Sequence, residues 1–128
     1  MTVAAAYSIQ EAAEESGLTA HTIRWYERIG LLDRVPRGSD GRRRFGAGDL
    51  EWLDLLVKLR RTGMPVAEMV RYAELVRAGA GIEERLALLG RHRERVVAAL
   101  AAQQECLGFL DYKIDLYRGQ LAAGEEEQ

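Results

Sequence analysis

The chain has 128 residues, of which 48% are hydrophobic and 30% charged, and its formal net charge is −2. It is long enough for one modest domain with an appendage, and no apolar run approaches the ~20 residues that a membrane span requires. Its slightly acidic balance argues against a protein that coats nucleic acid non-specifically.

A capping-box pattern opens the first predicted helix. Ser8 is followed three residues later by Glu11, so each side chain can bond the other residue's backbone amide. The pattern predicts a helix over 9–16, which Gly17 ends. We expect the side chain of Leu18, which follows Gly17, to fill the core between this helix and the next.

Thr19 is the predicted cap of a second helix, which runs to about Ile29 and stops at Gly30. This helix is expected to be buried through Ile23 and through Tyr26 or Ile29. Two short helices joined by a glycine turn form the plan of a helix-turn-helix.

Residues 32–45 are rich in turn formers and arginine. The Asp40–Gly41 pair is a strong hairpin signal, and it predicts short strands over 32–35 and 42–45 that form a small wing. The cations between residues 24 and 44 are Arg24, Arg28, Arg34, Arg37, Arg42, Arg43 and Arg44. A locally basic face favours specific DNA binding, and the alternative is a solvated charged surface.

Two more helices follow the predicted wing. The third is expected over 50–61, buried through Leu50, Leu53, Leu56 and Val57 and ended by Gly63. Pro65 suits the first turn of a fourth, over 66–77.

From Ile82 to Leu121, apolar residues recur at alternating spacings of three and four, as in a coiled-coil seam. The seam positions are Leu86, Leu89, Arg93, Val96, Leu100, Gln103, Leu107, Leu110, Ile114, Tyr117 and Leu121. Such a helix extends ~60 Å, whereas a domain of this size has a radius of gyration of only ~14 Å. We therefore expect a homodimer, with the interface at Leu89, Val96, Leu100, Gln103, Leu107, Leu110, Ile114 and Tyr117. The alternative is a helix that folds back on its own domain.

Three motifs in order carry a resemblance to a known family. Residues 22–32, Thr-Ile-Arg-Trp-Tyr-Glu-Arg-Ile-Gly-Leu-Leu, resemble the Thr-Leu-Arg-Tyr-Tyr-Glu…Gly-Leu-Leu signature of MerR-family transcriptional regulators. Residues 40–45 are similar to that family's wing, and residues 49–53 and 63–69 match the family in spacing.

The resemblance implies a mainly α fold. A winged helix-turn-helix DNA-binding domain over 7–77 is followed by a long antiparallel coiled-coil dimerisation helix over 82–121, and we expect an acidic, disordered tail over 122–128. Such homodimers bind double-stranded DNA at a pseudo-palindromic operator between the two promoter elements, where RNA polymerase also binds. Family activators bend and untwist an overlong promoter spacer, which is readout through DNA deformation.

The resemblance also implies how the second helix meets DNA. Entering the major groove, it brings Ala20, His21 and Arg24 nearest the base edges. His21 is either a specificity residue or a solvated surface histidine. Trp25 stands where the family usually has tyrosine, and Tyr26 is expected to donate to a phosphate.

The predicted wing and the third helix supply the other contacts. Arg43 occupies the family's wing arginine position, with Arg42 and Arg44 adding phosphate-binding charge. Arg61, or Arg60 beside it, is expected to touch the flanking DNA backbone.

Cys106 is the single cysteine, so the chain can form neither an internal disulfide nor a multi-thiolate metal site. No metal or cofactor is predicted. Cys106 lies on the flank of the seam, where we expect a buried, inert thiol; the alternative is a redox or alkylation switch. The resemblance is to short family members without a C-terminal effector domain, and the sequence does not identify an effector.

The leading hypothesis is a dimeric, sequence-specific transcriptional regulator. The N-terminus lacks a secretory signal, so we expect a cytoplasmic protein with no membrane partner. The alternative is a DNA-anchored coiled-coil interaction or architectural protein without effector-dependent regulation. An enzyme is not predicted, because His21 and His92 lie on different helices and no glycine-rich phosphate loop occurs.

Overall fold

Helices form nearly all of the regular structure of the chain, and the mainly α prediction is confirmed. The computed structural model describes residues 6–33 and 38–126, and within these ranges no regular β-strand occurs. The chain divides after Leu88 into two units. The first contains four short helices and the start of a fifth, and the second consists of the rest of that fifth helix.

Helix α1 spans Ile9–Ser16 and has the predicted capping box. The Glu11 amide donates to Ser8 Oγ at 3.2 Å, and the Ser8 amide donates to Glu11 Oε1 at 3.0 Å. These bonds hold the pKa of the Glu11 carboxyl below its usual value, the Ser8 amide having the largest effect. Gly17 ends the helix with a left-handed φ of +76°, a conformation that suits glycine.

Helix α2 spans Ala20–Arg28, as predicted. Thr19 Oγ1 accepts a hydrogen bond from the Thr22 amide at 3.1 Å and so satisfies one of the amides that a helix N-terminus leaves without a partner. Ile23 and Tyr26 are buried on the inner side of the helix. Leu18, which was expected to fill the core between α1 and α2, is only half-buried.

Replacing Thr19 by alanine tests the role of this cap. Thr19→Ala should lower the free energy of unfolding by ~1 kcal/mol, because the Thr22 amide loses its acceptor. Thr19→Ser keeps the hydroxyl and should stay close to the wild type. Urea unfolding measures both changes, and equal stabilities for the two variants would show that the cap does not stabilise α2.

Helices α3 and α4 span Ala47–Arg61 and Val66–Ala78. Helix α3 begins three residues before the predicted start at Leu50. The reason is a second cap: the Gly46 amide donates to Asp49 Oδ2 at 2.8 Å, and this bond allows the helix to begin directly after Gly46. Gly79 ends α4 in the left-handed conformation, with a φ of +66°.

The core lies where α1 packs on α2 and α3, and where α3 packs on α4. Trp52 of α3 joins three parts of this unit. Its indole N–H donates to the Leu31 carbonyl at 2.6 Å, and its ring stacks on Tyr72 of α4 with centroids 5.9 Å apart. The fully buried large side chains are Phe45, Ile23, Leu31, Leu53, Leu56, Met64 and Met69.

The first turns of helix α5, which spans Ile82–Glu126, are fixed to the end of α4 by arginines. The Arg85 guanidinium donates to the carbonyls of Leu75 and Ala80 at 3.0 and 2.9 Å. Arg71 of α4 pairs with Glu84 through contacts of 2.5 and 2.8 Å. These hydrogen bonds attach the first turn of α5 to α4 and to the linker between the two helices.

Helix α5 is longer than predicted. It continues through residues 122–126 of the expected disordered tail and ends at Glu126, while residues 127–128 lie outside the described range. Alanine and glutamate dominate this segment, and both are strong helix formers, so the helix continues past the last seam residue. In residues 6–33 and 38–126, no helix is long and apolar enough to cross a membrane.

Candidate nucleic-acid interface

One face of α2 carries four of the nine residues predicted to contact DNA. Ala20, Arg24 and Arg28 recur at a spacing of four, and His21 and Trp25 follow the same spacing beside them. His21, Arg24 and Arg28 are exposed, Trp25 is 38% exposed, and Ala20 is half-buried. The helix thus presents cations and an indole outward while Ile23 holds it in the core.

The arginine-rich loop that follows α2 contains a tight turn at the predicted Asp40–Gly41 position. The Gly41 amide donates to the Gly38 carbonyl at 3.0 Å, and the Gly38 amide donates to the Arg42 carbonyl at 2.7 Å. Gly41 ends the turn with a φ of +77°. The connection is a three-residue loop with a left-handed glycine at its end.

Half of the first predicted wing strand, residues 34–35, lies outside the described ranges. The second, over 42–45, forms no regular strand and has only bridge positions at Arg43 and Phe45. Phe45 instead exchanges two backbone hydrogen bonds of 2.8 Å with Tyr7. This bridge fixes the end of the loop beside the N-terminus of α1, because Tyr7 directly precedes the cap residue Ser8.

A cleft of about 380 Å³ lies between the loop, α2 and the N-terminus of α1. Its lining combines arginines of the loop with Arg24 of α2, and the complete set is Ser8, Ile9, Gln10, Arg24, Gly41, Arg42, Arg43 and Arg44. A helix N-terminus adds partial positive charge to the guanidinium groups around it. The cleft therefore has the electrostatic character of a site for a phosphate group.

Arg43 and Glu27 form a partly buried ion pair between the loop and α2. Arg43 Nη2 donates to Glu27 Oε1 at 3.2 Å, and Arg43 Nε lies 2.9 Å from Glu27 Oε2. The two side chains are only 22% and 14% exposed. The arginine at the predicted wing position therefore already has a protein partner, although this residue also lines the cleft.

Asp40 organises the turn itself. Its Oδ1 accepts from the Arg42 amide at 3.0 Å, and its Oδ2 pairs with Arg44 Nη2 at 2.9 Å. The Arg42 amide first, and then the charges of Arg44 and Arg42, lower the pKa of the Asp40 carboxyl from its usual 3.8. Asp40 stays charged through the neutral and mildly acidic range, and its support of the turn is lost only below that usual pKa.

Tyr26, expected to donate to a phosphate, is buried, with only 3% of its surface exposed. Burial raises the pKa of its hydroxyl. Its side chain lines a second, smaller cleft of about 170 Å³, which Arg60 and Arg61 also line. Both arginines are exposed, and the Arg60 Nη1 atom lies 3.5 Å from the Met64 carbonyl oxygen. Tyr26 thus supports the core, and its side chain also lines this cleft.

The predicted interface residues lie along α5 in the second unit. Leu100, Leu107 and Leu110 are 59%, 52% and 50% exposed, and Ile114 and Tyr117 are 45% and 56% exposed. Leu89 and Val96 are half-buried, and Gln103 is exposed. Cys106 is also exposed, so a single chain does not bury this thiol as we expected.

Sequence reasoning missed two contributions to this interface. Glu27 was not expected to hold the loop, since no local pattern links residues 16 positions apart. The N-terminus of α1 was recognised as a capping box but not as part of the cleft. Glu27 lies within the family motif over 22–32, which was the signal available for the first contribution. Nothing in the sequence could have indicated the second.

Comparison with known proteins identifies relatives over most of the chain. Residues 7–75 match the model of the MerR HTH family of regulatory proteins. An uncharacterised HTH-type transcriptional regulator of Haemophilus influenzae is 40% identical over 119 residues, which cover 92% of this chain and 88% of that protein.

Solved structures extend the similarity to the fold. HiNmlR, a MerR family regulator lacking the sensor domain and solved bound to promoter DNA, is 38% identical with a TM-score of 0.82. That match covers 93% of this chain and 95% of HiNmlR. A MerR family regulator from Bacillus thuringiensis is 27% identical with a TM-score of 0.75, over 85% of this chain and 96% of that one.

Proposed function

The chain belongs to the MerR HTH family of regulatory proteins, and on that premise we propose that it is a homodimeric regulator of transcription that distorts promoter DNA. The observation that carries the proposal is the arginine-lined cleft beside the exposed face of α2. Each chain supplies one such surface, which suits one half of a pseudo-palindromic operator. HiNmlR, which is similar over nearly its whole length, was solved bound to promoter DNA.

Within one half-site, α2 is proposed to enter the major groove. Its exposed face then brings Arg24 and His21 to the base edges, where an arginine can form two hydrogen bonds to a guanine. The cleft that Arg24 shares with Arg42 and Arg44 receives a phosphate of the adjoining backbone. Arg24 thus lies both at the surface that reads the bases and in the cleft that binds the DNA backbone. This position fixes the register of α2 on the duplex.

The dimer is proposed to form along α5. Its seam residues from Leu100 to Tyr117 expose large apolar side chains over several helical turns. Burying apolar surface of this kind is favourable by roughly 25 cal/mol per Å². An antiparallel pair of these helices holds two DNA-binding units at a fixed separation, and that separation determines which spacing of half-sites can be bound.

Distortion of the DNA follows from that fixed separation. When the spacing of two surfaces does not match straight B-DNA, the duplex must bend or untwist to reach both, at a cost of order 1–6 kcal/mol for a short site. We propose that the operator lies in a promoter spacer, so that the same distortion changes how RNA polymerase meets the two promoter elements.

Transcription from promoters that differ only in spacer length tests this proposal. Purified protein and RNA polymerase are combined with the bound promoter and with versions whose spacer is shortened or lengthened by one or two base pairs. We expect the effect of the protein on transcript yield to depend on spacer length. Distorting the spacer increases polymerase binding only where the two promoter elements are out of phase on the undistorted duplex. An effect that is the same at every spacer length would contradict regulation by distortion.

One observation favours the alternative of an architectural protein. Phe109, Tyr112 and Leu116 are 60%, 62% and 38% exposed and recur at helical spacing on the face of α5 away from the seam. A dimer along the seam leaves them uncovered, as an interaction protein would require. In that case DNA binding should be spread over many sequences and highly sensitive to salt.

A further inference from the structure

The pair formed by Glu27 and Arg43 is a side-chain tether between α2 and the described part of the arginine-rich loop. Glu27 lies one helical turn after Arg24, so the carboxylate sits next to the residue that joins α2 to the cleft. Arg43 lies between the internal turn of the loop at Gly38–Gly41 and the bridge from Phe45 to Tyr7. The ion pair and the bridge therefore attach the loop to α2 and to Tyr7, which precedes the cap of α1.

The geometry of the pair leaves Arg43 able to bind a second partner. A guanidinium has five N–H donors, and only Nη2 makes an aligned hydrogen bond to Glu27, at 3.2 Å. The Nε and Oε2 atoms lie 2.9 Å apart but are not aligned for a hydrogen bond, and both are buried. The remaining donors lie on a side chain that lines the cleft. The carboxylate can therefore orient the guanidinium while a phosphate binds its other edge.

We infer that Glu27 is a positioning residue for DNA binding, which acts by holding Arg43 in the phosphate cleft next to Arg24. The inference rests on the proposed function, because it names a residue that prepares the same surface for operator DNA. With Arg43 held, the helix that reads bases and the loop that binds backbone meet the duplex as one rigid unit. Less conformational entropy is then lost on binding.

Removing the Glu27 charge should change DNA affinity in opposite directions, depending on whether Glu27 positions Arg43 or acts only through its charge. Glu27 is a carboxylate beside a surface for a polyanion, so removing its charge should strengthen binding to any DNA if charge alone matters. If Glu27 positions Arg43, the same change should weaken binding to the operator. The two explanations therefore cannot both account for one measurement.

The experiment compares Glu27→Gln with Glu15→Gln, which removes the same charge from an exposed position on α1. For Glu27→Gln we expect a loss of operator affinity of about 10-fold, the scale of one hydrogen bond to a charged group. Binding to unrelated DNA should weaken as well, because a phosphate contact is made with any sequence. The slope of log affinity against log salt should fall by about two per dimer, one phosphate contact for each chain. Glu15→Gln should behave like the wild type in all three measurements.

A double-mutant cycle separates positioning from a general structural effect. In an Arg43→Gln background, Glu27→Gln should change operator affinity by less than about twofold, because the group that it positions is already absent. Glu27→Asp keeps the charge but shortens the side chain, and it should lose operator affinity in the same direction as Glu27→Gln. It also serves as the test variant if Glu27→Gln folds poorly.

Amide hydrogen exchange in the free protein gives a measurement that does not depend on DNA. Exchange at Gly38 and Phe45, whose amides donate within the loop and to Tyr7, should be faster in Glu27→Gln than in Glu15→Gln. Unchanged or stronger operator binding by Glu27→Gln would overturn the inference, as would a loss that persists in the Arg43→Gln background. If wild-type protein does not distinguish the operator from unrelated DNA, the proposed function fails instead, and unchanged exchange in Glu27→Gln would reject the tether by itself.

Discussion

Leu100→Asp combined with Leu107→Asp should convert the dimer into monomers and weaken operator binding by ~10²–10⁴-fold, the range by which linking two binding modules raises affinity. Both side chains are more than half exposed in the single chain and lie on the seam. They stand on either side of the seam's midpoint, so an antiparallel pair brings them opposite each other. The double substitution would then place four carboxylates together in an apolar interface, where unpaired charge is highly unfavourable.

Phe109→Asp combined with Leu116→Asp is the matched control. It introduces the same two charges on α5 at exposed positions away from the seam. Sedimentation should find monomers for the seam variant and dimers for the control, and the helicity of both should match that of the wild type. Dimers that persist in the seam variant, or monomers in the control, would show that the interface lies on another face of α5.

Arg24→Ala should reduce operator affinity by ~1–3 kcal/mol while leaving the dimer intact. Arg24 is exposed on α2 and also lines the cleft, so its loss removes a base contact and weakens the phosphate site. Because an arginine that reads a guanine discriminates against other bases, the variant should tolerate substitution at one base pair in each half-site. Binding to operators altered at single positions measures both effects.

Arg28→Ala removes the same charge from the same face of α2, one turn further on. If charge alone attracts the DNA, the two variants should lose affinity equally and for all sequences. We expect Arg24→Ala to lose more on the operator than on unrelated DNA, and Arg28→Ala to show no such preference. An Arg24→Ala variant with unchanged operator affinity would remove this residue from the set of contacts.

The helix-turn-helix was predictable because its determinants are local. The capping box at Ser8, the left-handed Gly17 and the cap at Thr19 each act within four residues, and the structure confirms all three. The start of α3 was predicted three residues late. The capping pair of Gly46 and Asp49 was visible in the sequence, but a glycine cap gives a weaker signal than serine or threonine.

The loop could not be predicted to the same degree because its structure depends on distant partners. Phe45 bonds to Tyr7, and Arg43 pairs with Glu27, and no periodicity links either pair. Tyr26 was assigned a polar role from the family motif, yet core packing buries nearly all of it. The tail was expected to be disordered from its acidic composition, whereas local helix propensity continues α5 to Glu126.

One dimer is proposed to hold two copies of the α2 surface and its cleft on one operator. A footprint titration on DNA selected from the host genome, with the protein-to-duplex ratio determined at saturation, tests this most directly. We predict one symmetric protected site within a promoter spacer, saturated at two chains per duplex. Diffuse protection that disappears with modest salt, or saturation at one chain per site, would contradict the account.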